Sequence, residues 1–203
     1  MSIYKKILGD QFQLLHPMLQ KRYELGVGEP FIAKGVMKNI SGSPKWLYPL
    51  FLLGVKRKFL FPEQGNNIPF TIVNTSHIGS DGEEQVRWER TFYFARKKRH
   101  FNALMSRDDA HGIVKDYLGE PSLFYSELIF SVSSEGHMKI ESKKQRFIAG
   151  HLEIPLPKML QGNTFVTECY LEEKDMFYIN VLITNPLIGH LFSYEGEFKV
   201  APF

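Results

Sequence analysis

A chain of 203 residues, 43% hydrophobic and 23% charged, is long enough for one substantial core and too apolar to stay disordered. A formal charge of +3 is too slight to imply nucleic acid without a focused basic patch, and no such partner is expected. The single cysteine, Cys169, excludes an internal disulfide and fits a reducing compartment. With no basic-then-apolar leader at the start, a cytoplasmic location is expected.

The chain opens on helical spacing. Asp10 is a candidate N-cap, Phe12, Leu15 and Leu19 recur on one helical face, and Pro17 starts a second short helix that runs through Arg22 to a stop near Gly26. A strand at Phe31–Ile40 precedes the turn SGSPK. The apolar run Trp46–Val55 comes next, half the length that a membrane-spanning helix needs, with Pro49 and Gly54 limiting any helix to a turn or two. KRKFLF then reads as a strand.

From there the alternation is that of β-structure. Strands are predicted at Ile68–His77, Glu84–Ala95, Phe101–Ser106, Ile113–Leu118 and Leu123–Ser133. More follow at His137–Ser142, Arg146–Ile154, Thr164–Leu171, Met176–Thr184 and Leu191–Val200. Asp81-Gly82, Ser134-Glu135-Gly136 and Glu172–Asp175 have the size and chemistry of hairpin connections. The expected fold is mainly β: a single domain over 1–203, with a helical cap (1–28) on an antiparallel β-barrel or strongly curved sheet of about ten strands (29–203).

Because side chains alternate along a strand, the pleat names the inward set. Phe177, Ile179, Val181 and Ile183 share one face, as do Phe124, Ser126, Leu128, Phe130 and Val132. Phe192, Tyr194, Phe198 and Val200 share a face with Gly196, where a missing side chain permits close approach or a bend. In EEQVRWERTFYFA the apolar face of Val86, Trp88, Phe92 and Phe94 also carries Arg90. A buried guanidinium needs a carboxylate or several acceptors, so Arg90 is an internal ion pair, an anion-reading group in a cavity, or a residue turned outward by a bulge. Glu168 or Glu127 is the candidate partner, although both faces of NTFVTECYLEE are mixed and leave the register of Glu168 open.

These strands carry a resemblance. LHPMLQKR, KWLYPLFLLG, VRWERTF, GEPSLFYSELIFSV, HLEIPLPKML and ITNPLIGHLFSYEGEF occur in an order that resembles a bacterial family catalogued as domain of unknown function number 4166. The likeness spans nearly the whole chain. It implies a portable β-rich module and brings no catalytic residues with it. Some relatives resemble fusions to a nucleotide-binding oxidoreductase domain or a membrane segment, which implies an accessory or catalytic role beside such a partner as an alternative.

Chemical signatures narrow the choice. The seven histidines lack an HxH, HExxH or CxxC companion, no GxSxG elbow or glycine-rich phosphate loop appears, and the paired acids sit in turns. No metal, cofactor or catalytic set is therefore expected, and the leading expectation is a non-catalytic binding module for a small hydrophobic or amphipathic molecule, anionic ones included. Arg90 with Glu168 would read its polar end, while Trp88, Phe92, Tyr194, Trp46 and Tyr48 would form walls. A cavity of about 300–1,000 Å³ is expected. The apolar wedge Trp46–Val55 with its collar Lys56–Lys58, and the run ARKKRH, offer a membrane or protein-interaction alternative; vesicle binding is expected to be weak or absent, because the wedge is short, interrupted by Pro49 and read as a packed lid.

Overall fold

The computed structural model describes residues 1–42, 44–80 and 82–201; Ser43 of the turn SGSPK and Asp81 of Asp81-Gly82 lie outside the described residues. Two short helices, α1 (Ile3–Leu8) and α2 (Pro17–Tyr23), lead into β1 (Phe31–Gly42), α3 (Tyr48–Lys56), β2 (Gly65–Ile78), β3 (Glu84–Phe94) and β4 (Lys97–His100). Then follow β5 (Ala103–Asp108), β6 (Ile113–Gly119), β7 (Ser122–Val132), β8 (Met138–Ala149), β9 (Leu152–Pro155), β10 (Asn163–Leu171), β11 (Met176–Asn185) and β12 (Gly189–Val200). The fold is mainly β. Ten strands close into an antiparallel barrel in the order β10-β11-β12-β1-β2-β3-β5-β6-β7-β8, with β8 pairing back onto β10. The other two are hairpin extensions, β4 on β3 and β9 on β8.

The inward faces are those the alternation names. Phe177, Ile179, Val181, Ile183, Phe192, Tyr194 and Phe198 are all buried, and Val200 is the exception, exposed where β12 leaves the barrel. Rings of Phe61, Phe70, Phe92 and Tyr194 meet edge-on or tilted at centroid separations of 5.0–6.5 Å, a geometry that aromatic quadrupoles favour.

Some local expectations differ from what is seen. Ser2, not Asp10, caps the first helix, its hydroxyl accepting from Lys5 N at 3.3 Å, and residues 9–14 tighten into a 3-10 turn. KRKFLF is not a strand. Lys56 ends α3, Phe59 N donates back to Gly54 O at 2.9 Å, and Phe59 and Phe61 turn into the core. The segments His137–Ser142 and Arg146–Ile154 are not two strands: β8 runs unbroken through ESKKQR, whose lysines reach solvent, and turns at Gly150 into β9.

Gly196 marks a close approach, as its place in an apolar face suggested. A Cβ there would lie 2.3 Å from Val36 O and 2.5 Å from Met37 Cα on β1. Since these are backbone atoms, Gly196→Ala is expected to force the β1–β12 ladder apart at a cost of about 1–3 kcal/mol. A urea midpoint unchanged from wild type would show that the strands have slack.

With every barrel neighbour antiparallel, the connections fall at two ends. One end holds α3, the tip between β3 and β4, the segment from β9 to β10, and the β11–β12 turn. The other holds the β5–β6, β7–β8 and β10–β11 turns and is plugged by α1 and α2.

Candidate functional site

The plug is fastened by charge. Arg22 on α2 and Glu168 on β10 form a fully buried, two-pronged ion pair: Nε donates to Oε1, and Nη2 donates to Oε2 at 3.0 Å. Tyr23 Oη adds a bond to Oε2 at 3.2 Å, and Arg22 Nη1 donates to Asn74 Oδ1 at 3.3 Å. The guanidinium also lies 4.4 Å from the Phe31 ring centroid and 5.1 Å from that of Phe198. Glu168 thus faces inward, yet its partner is Arg22 and not Arg90. Glu127 is no partner for Arg90 either; it sits in register with Lys115 on the neighbouring strand.

Arg90 is buried as its strand face requires, held by neutral acceptors. Where β3 changes partner from β4 to β5, the ladder opens at Phe101 and Asn102. Arg90 Nε donates to the freed Phe101 O at 2.7 Å, Nη1 donates to Tyr194 Oη at 3.1 Å, and the guanidinium stacks 4.2 Å from the Phe101 ring centroid. The carboxylate in its field is Asp116.

Arg90 and Asp116 line one cavity. It measures about 160 Å³ and is walled by Trp88, Phe101, Leu128, Ile140, Ile179 and Val181, among other apolar groups. Phe51, Phe59, Phe101 and Phe124 fill much of the barrel at the α3 end, which is why the space falls short of the expected 300–1,000 Å³. A larger groove of about 800 Å³ between α2 and the barrel is open to water, and its Glu24 and Asp175 are already engaged by Lys5 and Tyr170.

Two polar groups in the small cavity stand out. Asp116 on β6 faces Ser126 on β7 across the ladder, and Asp116 Oδ1 and Ser126 Oγ are buried with no hydrogen-bond partner among the described residues. Burial pushes the Asp116 carboxyl up to about 7, against the opposing pull of Arg90. Unpaired buried polar atoms are rare and costly, so a pair of them facing one cavity marks a place built to meet something. Alternation along β7 turns Ser126 inward, whereas Asp116 is not among the residues that the strand pattern singles out. The signal was present in IVKDYL, where Val114, Asp116 and Leu118 share a face.

Of the seven residues proposed from sequence, Trp88 and Arg90 line this cavity. Phe92 belongs to the aromatic layer behind it, Tyr194 supports Arg90, and Glu168 belongs to the plug. Trp46 and Tyr48 are not cavity walls. They stand on the surface, Trp46 65% exposed, because α3 buries only Phe51 and Gly54, with Leu47 just ahead of it.

The family profile described as "Domain of unknown function (DUF4166)" matches residues 15–198. The chain belongs to this family. It is 40% identical over 198 residues to a Bacillus subtilis (strain 168) protein named "Uncharacterized protein YndH", covering 98% of this chain and 96% of that one. No solved structure matches it.

Among the described residues no group of three or more His, Cys, Asp or Glu side chains is placed to hold a metal ion. None of the helices described is long and apolar enough to cross a membrane.

Proposed function

We propose that this DUF4166 barrel is a cytoplasmic binding module that takes a small, mainly apolar molecule with an acidic or hydrogen-bonding end into the cavity beside Asp116, Ser126 and Arg90. The observation that carries this reading is the pair of polar atoms without a partner among the described residues, Asp116 Oδ1 and Ser126 Oγ, facing a mainly apolar space. An apolar cavity of about 150 Å³ accepts benzene, so the occupant has about six to ten non-hydrogen atoms. The single buried thiol at Cys169 supports the reducing location.

Charge sets the preference. The ionisable groups around Asp116 are Arg90 from β3 and Tyr4 from α1, whose phenol burial keeps neutral. While Asp116 holds its proton the cavity carries the charge of Arg90 and offers a donor, which suits a carboxylate. Once Asp116 ionises, that preference is cancelled. Benzoate and hexanoate are therefore expected to bind about tenfold more tightly at pH 6 than at pH 8, while benzyl alcohol is indifferent to pH. Trp88 emission reports binding from the cavity wall, and native mass spectrometry of freshly purified protein reports any retained occupant. If none of these compounds changes Trp88 emission or thermal stability, the binding reading fails; equal binding of acid and alcohol at both pH values removes Arg90 from its role.

A second reading rests on the same carboxyl. A buried acid titrating near neutrality is suited to proton transfer on a bound molecule, which fits the catalytic or accessory alternative. Turnover lost in Asp116→Asn while occupancy persists would favour it.

A further inference from the structure

The barrel is electrically polarised along its axis, although its net charge is only +3. Both basic runs of the sequence arrive at the α3 end: Lys56–Lys58 closes α3, and the run from Arg96 to Arg99 forms the β3–β4 hairpin. Lys45, Lys56, Arg96, Lys98 and Lys158 are exposed there. The carboxylates of this end are already neutralised. Glu63 pairs with Lys97 and Arg99, Glu120 with Lys58 and Arg87, Glu141 with Lys143, and Glu153 with Arg146. Beside the cavity mouth, Lys143, Lys144 and Lys158 line a shallow depression of about 360 Å³ that has no acid in its lining. The opposite end carries the exposed acids Glu29, Glu135 and Glu173, with Asp109 paired to Arg107.

The same basic end presents apolar side chains to solvent. Trp46 and Leu160 are each 65% exposed, Leu50 51%, and Met159 and Leu187 are exposed as well. Four of them lie close together at the mouth: Leu50 and Leu160 both line the cavity, while Asn185 bonds Met159 O and Leu187 N, each at 2.9 Å; Trp46 stands in the turn that leads into α3. Solvated loops rarely gather tryptophan and several leucines without a partner. Nucleic acid would be met by basic and stacking groups, and aliphatic tips would gain nothing from it. A collar of lysine and arginine around protruding Trp, Leu and Met is the chemistry that meets an anionic bilayer, with the cations at the headgroups and the apolar tips among the acyl chains.

We propose that the α3 end of the barrel docks onto the surface of an anionic lipid membrane, seating Trp46, Leu50, Met159 and Leu160 at the interface. The acidic far end turns the molecule so that the mouth of the cavity faces the lipid. Docking can be tested apart from the cavity's occupancy, because Trp46, Met159 and Leu187 lie outside the cavity lining that Leu50 and Leu160 share.

The test is flotation of the full chain with vesicles of phosphatidylglycerol and phosphatidylcholine, compared with phosphatidylcholine alone. The protein is expected to float with the anionic vesicles, and raising salt from about 0.05 M to about 0.5 M is expected to lower binding by at least about tenfold. Two variants separate the parts, Trp46→Ser/Met159→Ser/Leu187→Ser and Lys45→Glu/Lys98→Glu/Lys158→Glu, none of which touches the cavity lining. Each should lose about tenfold or more in binding while keeping wild-type thermal stability, since all six side chains are exposed. Independently of any variant, wild-type Trp46 emission should move to the blue on binding and be quenched by brominated acyl chains. Failure of the wild-type protein to float at low salt overturns the proposal. Undiminished flotation of the apolar variant overturns it too, as does unchanged Trp46 emission, which would leave a purely electrostatic contact. Duplex DNA that holds the protein off vesicles equally well in wild type and the apolar variant would point to nucleic acid instead.

Discussion

Arg22→Met is expected to cost about 3–5 kcal/mol of unfolding free energy, read from urea denaturation at neutral pH, because it strands Glu168 in the apolar plug. Glu168 has no exposed surface, and Tyr23 Oη is its one other side-chain hydrogen-bond donor among the described residues. Removing both charges, in Arg22→Met/Glu168→Leu, is expected to return most of that loss, since paired buried ions contribute little over well-packed apolar side chains. If the double variant is as damaged as the sum of the singles, the pair is not the coupled unit described here. The strand pattern offers Arg90 as the cation of such an internal pair. The structure moves that role to Arg22, because Arg90 leans on Phe101 O and Tyr194 Oη, which are neutral and remain satisfied by geometry when a distant acid is changed.

A second large effect belongs to Asp116 and depends on pH. In the unfolded chain this carboxyl ionises near 4, whereas burial in the fold holds its proton until about 7. Between those values unfolding releases a proton, so raising the pH favours the unfolded chain. The stability that protonated Asp116 confers is complete below about pH 4 and lost as the pH climbs to 7, a total of about 4 kcal/mol at about 1.4 kcal/mol per pH unit. Asp116→Asn is expected to remove that slope and to be the more stable protein at pH 8. His100 works in the opposite sense below about pH 6.5, because burial pushes its imidazole down, and it is the same in both proteins. The difference between wild type and variant therefore isolates Asp116. Identical slopes from pH 5 to pH 8 would show that the carboxyl is hydrated and unperturbed.

Much of the barrel was legible because two-residue alternation is a local property. Phe177, Ile179, Val181 and Ile183 declare their face without reference to any other strand, and Arg90 betrays its burial by sharing a face with Trp88 and Phe92. The partners were not legible, since they are set by the closure of the sheet. Arg22 lies on a short helix whose polar residues read as solvent-facing, and only the docking of α2 across the barrel end brings it to Glu168, 146 residues later. Asp116 was overlooked for a different reason: a lone acid between lysine and tyrosine suggests an outer face, and its inward direction shows only when Val114 and Leu118 are counted with it. The exposed side of α3 stood only as the alternative, an interface anchor ranked below a packed lid, because a short apolar run is read first as core.

The pairing of β1 with β12 has a consequence for synthesis on the ribosome. The first barrel strand emerges early and finds its closing neighbour only when residues 189–200 have left the exit tunnel. Until then β1 has a bare edge beside β2, and α1 and α2 have no finished rim to plug, since Glu168 is also late. The apolar segment from Ile3 to Tyr23, made well before β10, is thus among the last to be buried. Native contacts this distant in sequence make folding slow, and the bare edge must be shielded over that interval, a demand set by strand order and independent of any ligand.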